Sequence, residues 1–379
     1  MHYFEFPEKD ATLYQATGSM NTGLDEILEV RKDVDETATS INVSRALIQF
    51  DITEISQSIH GGVIPKPNQT SGSSFFLNLF DAGSDGLQTS QSLYAYPVSG
   101  ANWIEGDGKR GDNPTTKNGC SWNFRDSFET GTLWTGSLTG SGGTWFTGTG
   151  FEASMSFTKR KIDARIDVTD IMDKWLRETI PNRGFIVKRS GSVGNLDSNQ
   201  DEGSSTRLGN FKFFSSDTHT KYPPTLEVVW DDSKWTTGSL SALSTSELED
   251  TVIYMKGLRP EYKEKSKVKF RVVGRARFPA KTYSSTPSNL TVKYLPSGSS
   301  SGDGAFYSIT DAETEDVIVP FGSGSKLSCD STGNYFNLDL NGYQPERYYT
   351  LQYKVVSGSG TVDETNTFYD EGFTFKVTL

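Results

Sequence analysis

Apolar and polar residues alternate most sharply between Lys161 and Arg189, in KIDARIDVTDIMDKWLRETIPNRGFIVKR. Ile162, Ala164, Ile166 and Val168 take every second place between Asp163, Arg165 and Asp167, which predicts a half-buried strand. The period then lengthens. Ile171, Met172, Trp175 and Leu176 fall on one side of a helix of about two turns, with Thr169 or Asp170 as its cap. Pro181-Asn182-Arg183-Gly184 is expected to end that helix, and Phe185-Ile186-Val187 to restart a strand. A helix this short does not hold by itself in water. It must lie on a sheet, with Trp175 as a core anchor.

Similar patterns occur along the rest of the chain. Met1–Thr39 reads as an edge strand and an acidic loop. In Ile41–Ile52, Ala46, Ile48 and Phe50 point one way and Arg45, Leu47, Gln49 and Asp51 the other. Ser73–Phe80, Gln91–Pro97, Leu208–Ser215 and Thr225–Trp230 are further strands. Gly106–Gly150 is rich in loops. Asp231–Glu249 has the Ser, Thr and Gly bias of a linker. Beyond it, Tyr307–Ile309, Val317–Phe321, Tyr335–Leu340, Tyr348–Val356 and Gly372–Leu379 read as strands. The fold class expected is all-β: a jelly-roll-like β-sandwich with one short helix over residues 1–231, a linker over 232–249, and a second β-rich, sandwich-like region over 250–379. A length of 379 residues suits such a division, as do 37 glycines and 12% aromatics.

Charge and cysteine content narrow the function. A net charge of -11 disfavours non-specific nucleic-acid binding by the whole chain. The two cysteines, Cys120 and Cys329, have neither disulfide nor metal-ligand spacing and suit a reducing compartment. MHYFEFPEKD lacks the apolar core of a secretory signal, and no apolar run is long enough for a membrane helix. His2, His60 and His219 stand apart from any nucleophile motif, and no phosphate-binding loop is present. Glu105 and Asp107 could face a substrate as paired carboxylates. Asp197, Asn199, Asp201 and Glu202 could offer oxygens to Ca²⁺. The expectation is nevertheless no enzyme, no metal and no cofactor.

Two features stand out for binding. Trp103 reads as core, but Trp134 and Trp145 lie in Gly/Thr loops beside Trp122 and Phe146, where a ring could stack on a sugar or fill a subunit interface. Lys265, Lys267, Lys269 and Arg271 alternate along one strand, within ten Lys/Arg against Glu261 and Glu264 between Lys256 and Lys281. Their side chains are expected to form a basic face that docks on an acidic neighbouring subunit. Nucleic acid is not expected there, because no stacking aromatics interleave with the charges.

RALIQFDI, NWIEGDG, IDVTDIMDKW, NRGFIVK, FKFFSSD and PPTLEVVW, in this order, resemble the DNRLRE-type module, a carbohydrate-binding-like β-sandwich, over about Ala11–Asp231. FYSITDAETEDVIVPF, LSCDSTGNYFNLDLNGYQPERYY and FYDEGFTFKV, with Pro279–Tyr283 before them, resemble structural proteins of contractile-tailed marine phages over about Thr251–Leu379. Together the resemblances imply a component of a tailed-phage virion, in the head, neck, tail or baseplate. It would be made in the host cytoplasm and assemble in many copies with itself and with other virion proteins. The alternative implied is a module that binds a host-surface glycan.

Overall fold

A computed structural model describes the chain except for residues 35–40, 135–140, 159–162, 192–200, 244–250, 279–291, 297–302 and 358–363. The protein is all-β, built of mostly antiparallel sheets (Glu261–Lys263 pairs parallel with Thr365–Thr378), with two eight-residue α-helices among the described residues. It divides into two compact units: Glu5–Val228, and Val229–Leu379 together with Met1–Phe4.

In the first unit a small sheet aligns Thr225–Val229, Ser74–Leu79 and Ala164–Asp167. A seven-stranded sheet runs Gly209–Phe214, Ile27–Val34, Ile41–Phe50, Phe185–Lys188, Gln91–Pro97 and Ala153–Phe157, with Pro7–Tyr14 also paired to Ile41–Phe50. Ile41–Phe50 is its centre. It pairs antiparallel with Pro7–Tyr14, with Ile27–Val34 and with Phe185–Lys188. The sequence shows it as half-buried, yet every residue from Val43 to Phe50 is buried. The face bearing Val43 and Leu47 packs with Trp103, Cys120, Trp122 and Trp134. The long loop region is therefore a cover for that face of the sheet.

The first forty residues carry more strand than their polarity suggests: His2–Glu5, Pro7–Tyr14 and Ile27–Val34. In Ile27–Val34 the inward positions are Leu28, Val30, Lys32 and Val34. Lys32 breaks the apolar alternation, and its buried ammonium is satisfied by the carbonyls of Ser204 at 2.8 Å and Thr206 at 3.3 Å.

The two helices are α1 (Thr53–His60) and α2 (Thr169–Leu176). Both begin in the same way. Asp51 Oδ1 accepts from the amide and the hydroxyl of Thr53, and Asp167 Oδ1 does so for Thr169. The capping carboxylate of α2 is thus Asp167, not Thr169 or Asp170, because the aspartate two residues upstream reaches the first free amide. Thr169 Oγ1 instead accepts from the Phe75 amide at 2.9 Å. Ile171, Met172 and Trp175 point inward, and the Trp175 ring lies 4.6 Å from that of Phe185. α2 ends at Leu176, before Pro181, and Glu178 follows at φ +55°. The Pro181–Gly184 turn serves the next strand. Gly184 sits at φ +82°, where a Cβ would meet the Ile48 carbonyl at 2.5 Å, so only glycine lets Phe185–Lys188 come this close to Ile41–Phe50.

The second unit has a four-stranded antiparallel sheet ordered Thr251–Lys256, Lys267–Ala276, Gly333–Asp339, Ser328–Asp330. A five-stranded sheet is ordered Glu261–Lys263, Thr365–Thr378, Tyr348–Ser357, Gly304–Asp311, Val317–Val319. One core draws on both: Ile253, Phe270, Val272, Phe336 and Leu338 from the first, and Tyr307, Ile309, Leu351, Tyr353, Val355 and Phe375 from the second. Phe336 stacks on Phe270 at 5.1 Å and on Tyr307 at 4.1 Å. This is β-sandwich-like packing: inward residues of two sheets fill one layer.

Candidate functional site

The tryptophans of the loop region separate into core and boundary. Trp103 is buried, with Nε1 donating to the Arg183 carbonyl at 2.9 Å, as a core reading requires. Trp134 is only 2% exposed, and its Nε1 donates to the Ser121 carbonyl at 2.9 Å. With its N–H satisfied internally and its ring in the core, Trp134 has no free face for a sugar or a neighbouring subunit. Trp145 is half-buried and stands over the guanidinium of Arg45 at 4.9 Å and the ammonium of Lys188 at 4.8 Å. These two residues therefore do not form a paired stacking platform.

Below Trp145 lies a buried charge network. Arg45 grips Glu202 through Nε–Oε1 at 3.1 Å and Nη2–Oε2 at 2.6 Å, and its Nη1 donates to the Gly142 carbonyl at 2.6 Å. Lys188 approaches Oε2 of the same glutamate at 3.4 Å and donates to the carbonyls of Arg189 and Gly191. Trp122 covers the guanidinium at 4.7 Å. Gly142, at φ +78°, lets the backbone approach: a Cβ there would stand 2.6 Å from Arg45 Nη1. Burial pushes the Lys188 ammonium down to about 8, against the pull of Glu202. Neighbouring Arg189 is buried too, donating to Gln91 Oε1 at 3.1 Å and the Leu208 carbonyl at 2.9 Å. Of the loop acids considered for Ca²⁺, Asp197 and Asn199 lie outside the described residues, and Glu202 is already neutralised by Arg45 and Lys188.

The basic strand is not a free cationic face. Lys265 lies in the turn before it, at φ +56°, and the strand runs Lys267–Ala276. Lys267, Lys269 and Arg271 oppose Asp339, Asn337 and Tyr335 on Gly333–Asp339. Lys267 reaches Asp339 at 3.4 Å. Arg271 forks onto Asp330 with both contacts at 2.9 Å, and Lys269 joins at 3.0 Å. The ring of Tyr335 lies 3.5 Å from the Lys269 ammonium. The neutralising acids come from strands about sixty residues or more away in sequence, which is why local charge counting misses them. Lys281 lies outside the described residues.

Hydrogen bonds from Arg271 hold the Asp330 carboxyl well below the usual carboxylate range. A depressed folded value means that the stabilisation is present above the ordinary pKa of about 4 and is lost as pH falls through the acid range below it. Asp330→Asn is expected to lower stability by about 1 kcal/mol at neutral pH, the value of a partly exposed forked pair. The gap from the parent should close in acid, as read by denaturant unfolding at several pH values. A gap that persists unchanged below pH ~3 would contradict the assignment.

Glu105 and Asp107 have different partners. Asp107 accepts from Asn118 Nδ2 at 3.5 Å, whereas Glu105 Oε1 accepts from the Asp10 amide at 2.8 Å. Glu105 instead converges with Asp10 and Asp217, one oxygen of each lying within 4.8 Å of the others. Burial raises all three carboxyls, Asp10 to about 7; repulsion within the cluster adds to it at Asp10 and Glu105, and repulsion from Glu26 at Asp217. None of the three was legible as a cluster from sequence, because they lie about a hundred residues apart.

No family model and no curated protein matches the chain. Among solved structures, a DUF4785 family protein from Legionella pneumophila is matched at 8% identity over 98% of this chain, with a TM-score of 0.21. The match spans 65% of that protein's length. No helix among the described residues is long and apolar enough to cross a membrane.

Proposed function

We propose that the protein is a structural component of a tailed-phage virion and acts by multi-copy assembly through the surfaces of its β units. The observation that carries this reading is an apolar surface at the open side of the five-stranded sheet. Among the described residues Val317–Val319 is its edge strand, paired to Gly304–Asp311 alone. Val317 on this edge is 60% exposed; Phe368, on Thr365–Thr378 across Tyr348–Ser357 and Gly304–Asp311 from it, is 62% exposed, and Phe321, just past the edge strand, sets its ring 5.9 Å from that of Phe368. An open edge offers unpaired backbone donors and acceptors, and apolar side chains beside it favour burial against another chain. The sequence resemblance to virion proteins supports the same reading. The glycan-binding alternative loses support from Trp134, which lies in the core.

The test is self-association of purified protein by sedimentation across concentration, with incorporation into particles measured in parallel. Val317→Lys and Phe368→Ser should weaken both about tenfold or more while leaving thermal unfolding unchanged. A parent chain that stays monomeric at all concentrations and never appears in particles would overturn the proposal.

A further inference from the structure

Asp10, Glu105 and Asp217 reach one point from three distant parts of the first unit. Asp10 is on the strand Pro7–Tyr14, Glu105 follows Gln91–Pro97, and Asp217 follows Gly209–Phe214. Asp10 is 1% exposed. Its Oδ2 accepts from the Ser216 amide at 2.7 Å, and its Oδ1 is buried with no hydrogen-bond partner. The nearby cations are engaged elsewhere. Lys9 donates to the Trp103 carbonyl at 2.6 Å and lies over the Trp103 ring, and His219 stands 3.9 Å from Glu26. Lys9 acts on Glu105, and Lys109 and His219 on Asp217, through space. A buried carboxylate with one orphaned oxygen, gathered with two further carboxylates, is costly without a bound counter-charge.

We propose that Asp10, Glu105 and Asp217 bind a divalent metal cation, calcium in the first place. The donor set is all oxygen, with no imidazole or thiolate among the three, and that selects a hard cation over zinc or copper. Glu105 and Asp217 are partly exposed, so water can complete the coordination shell. Ligands on three independent backbone segments suit the irregular shell that calcium accepts better than the strict octahedron of magnesium. A bound cation would tie the strand Pro7–Tyr14 to the start of the loop region and to the end of the strand Gly209–Phe214.

The test uses the full chain, stripped with a chelator and dialysed, then titrated with calcium chloride by calorimetry. Thermal unfolding is followed in parallel. One saturable site is expected, with the midpoint raised by about 5 °C at calcium roughly 100-fold above Kd. Asp217→Asn changes a partly exposed group and should keep the fold while weakening calcium binding about tenfold or more. Glu129→Gln, on the surface of the loop region, should bind like the parent. No calcium binding, or equal affinity in Asp217→Asn and the parent, would overturn the proposal. Tighter binding of magnesium or zinc than of calcium would overturn the choice of metal.

Discussion

Glu202→Ala is expected to destabilise the protein by about 3–5 kcal/mol, the cost of leaving buried cations without their partner. Glu202 is fully buried and holds Arg45 by two contacts and Lys188 by a third. Alanine removes the acceptor but leaves the guanidinium and ammonium under Trp122 and Trp145, where water cannot replace it. Lys188 can respond by losing its proton, since burial already pushes it down to about 8. Arg45 cannot. Glu202→Ala should therefore cost more than Lys188→Met, which removes the second charge and keeps the forked pair. Arg45→Met/Glu202→Leu, which removes both members of the pair, should recover much of the loss. Urea unfolding of the full chain, read by tryptophan fluorescence, gives all four values. A Glu202→Ala cost under about 1 kcal/mol would mean that the network is hydrated and not sealed.

The same network shows where sequence reading stops. Period 2 marked Ala164–Asp167 and period 3.6 marked α2, because a sheet or helix with one wet face prints its own period; Ser74–Leu79, Gln91–Pro97 and Phe185–Lys188 were legible as apolar runs, and the last is buried throughout. Ile41–Phe50 printed only half of its burial. Arg45 and Gln49 look like an outward polar face, yet a loop region with its own tryptophans covers them. Lys32, Lys188 and Arg189 are also buried cations that any polarity rule sends to solvent. Apart from the Arg189 and Gly191 carbonyls beside Lys188, their partners are carbonyls and one glutamate brought in from distant parts of the chain, which leaves no local spacing to read. The basic strand errs in the opposite sense. Its alternation was legible, and its neutralisation by Asp330 and Asp339 was not, because cross-strand register is invisible along a single segment. Asp10, Glu105 and Asp217 stayed hidden for the same reason.

Trp175→Ala is expected to cost about 3–5 kcal/mol, by loss of a large buried ring and the cavity it leaves. The indole is 4% exposed and lies 4.6 Å from Phe185, which in turn meets Phe50 at 6.3 Å. These rings attach α2 to the central strand Ile41–Phe50, and a two-turn helix has little stability apart from such packing. Ile171 and Met172 remain as apolar contacts in the variant, so α2 should loosen before it is lost. The chemistry of the indole separates packing from hydrogen bonding. Trp175 Nε1 is buried and has no acceptor, so the N–H contributes no bond that a phenyl ring would forfeit. Trp175→Phe should therefore cost about 1–2 kcal/mol, much less than the alanine variant. Hydrogen exchange at the α2 amides should rise strongly in Trp175→Ala and only slightly in Trp175→Phe. Equal costs for the two variants would show that the indole N–H holds a partner, and that α2 is fixed by a polar contact instead of by the Trp175–Phe185–Phe50 packing.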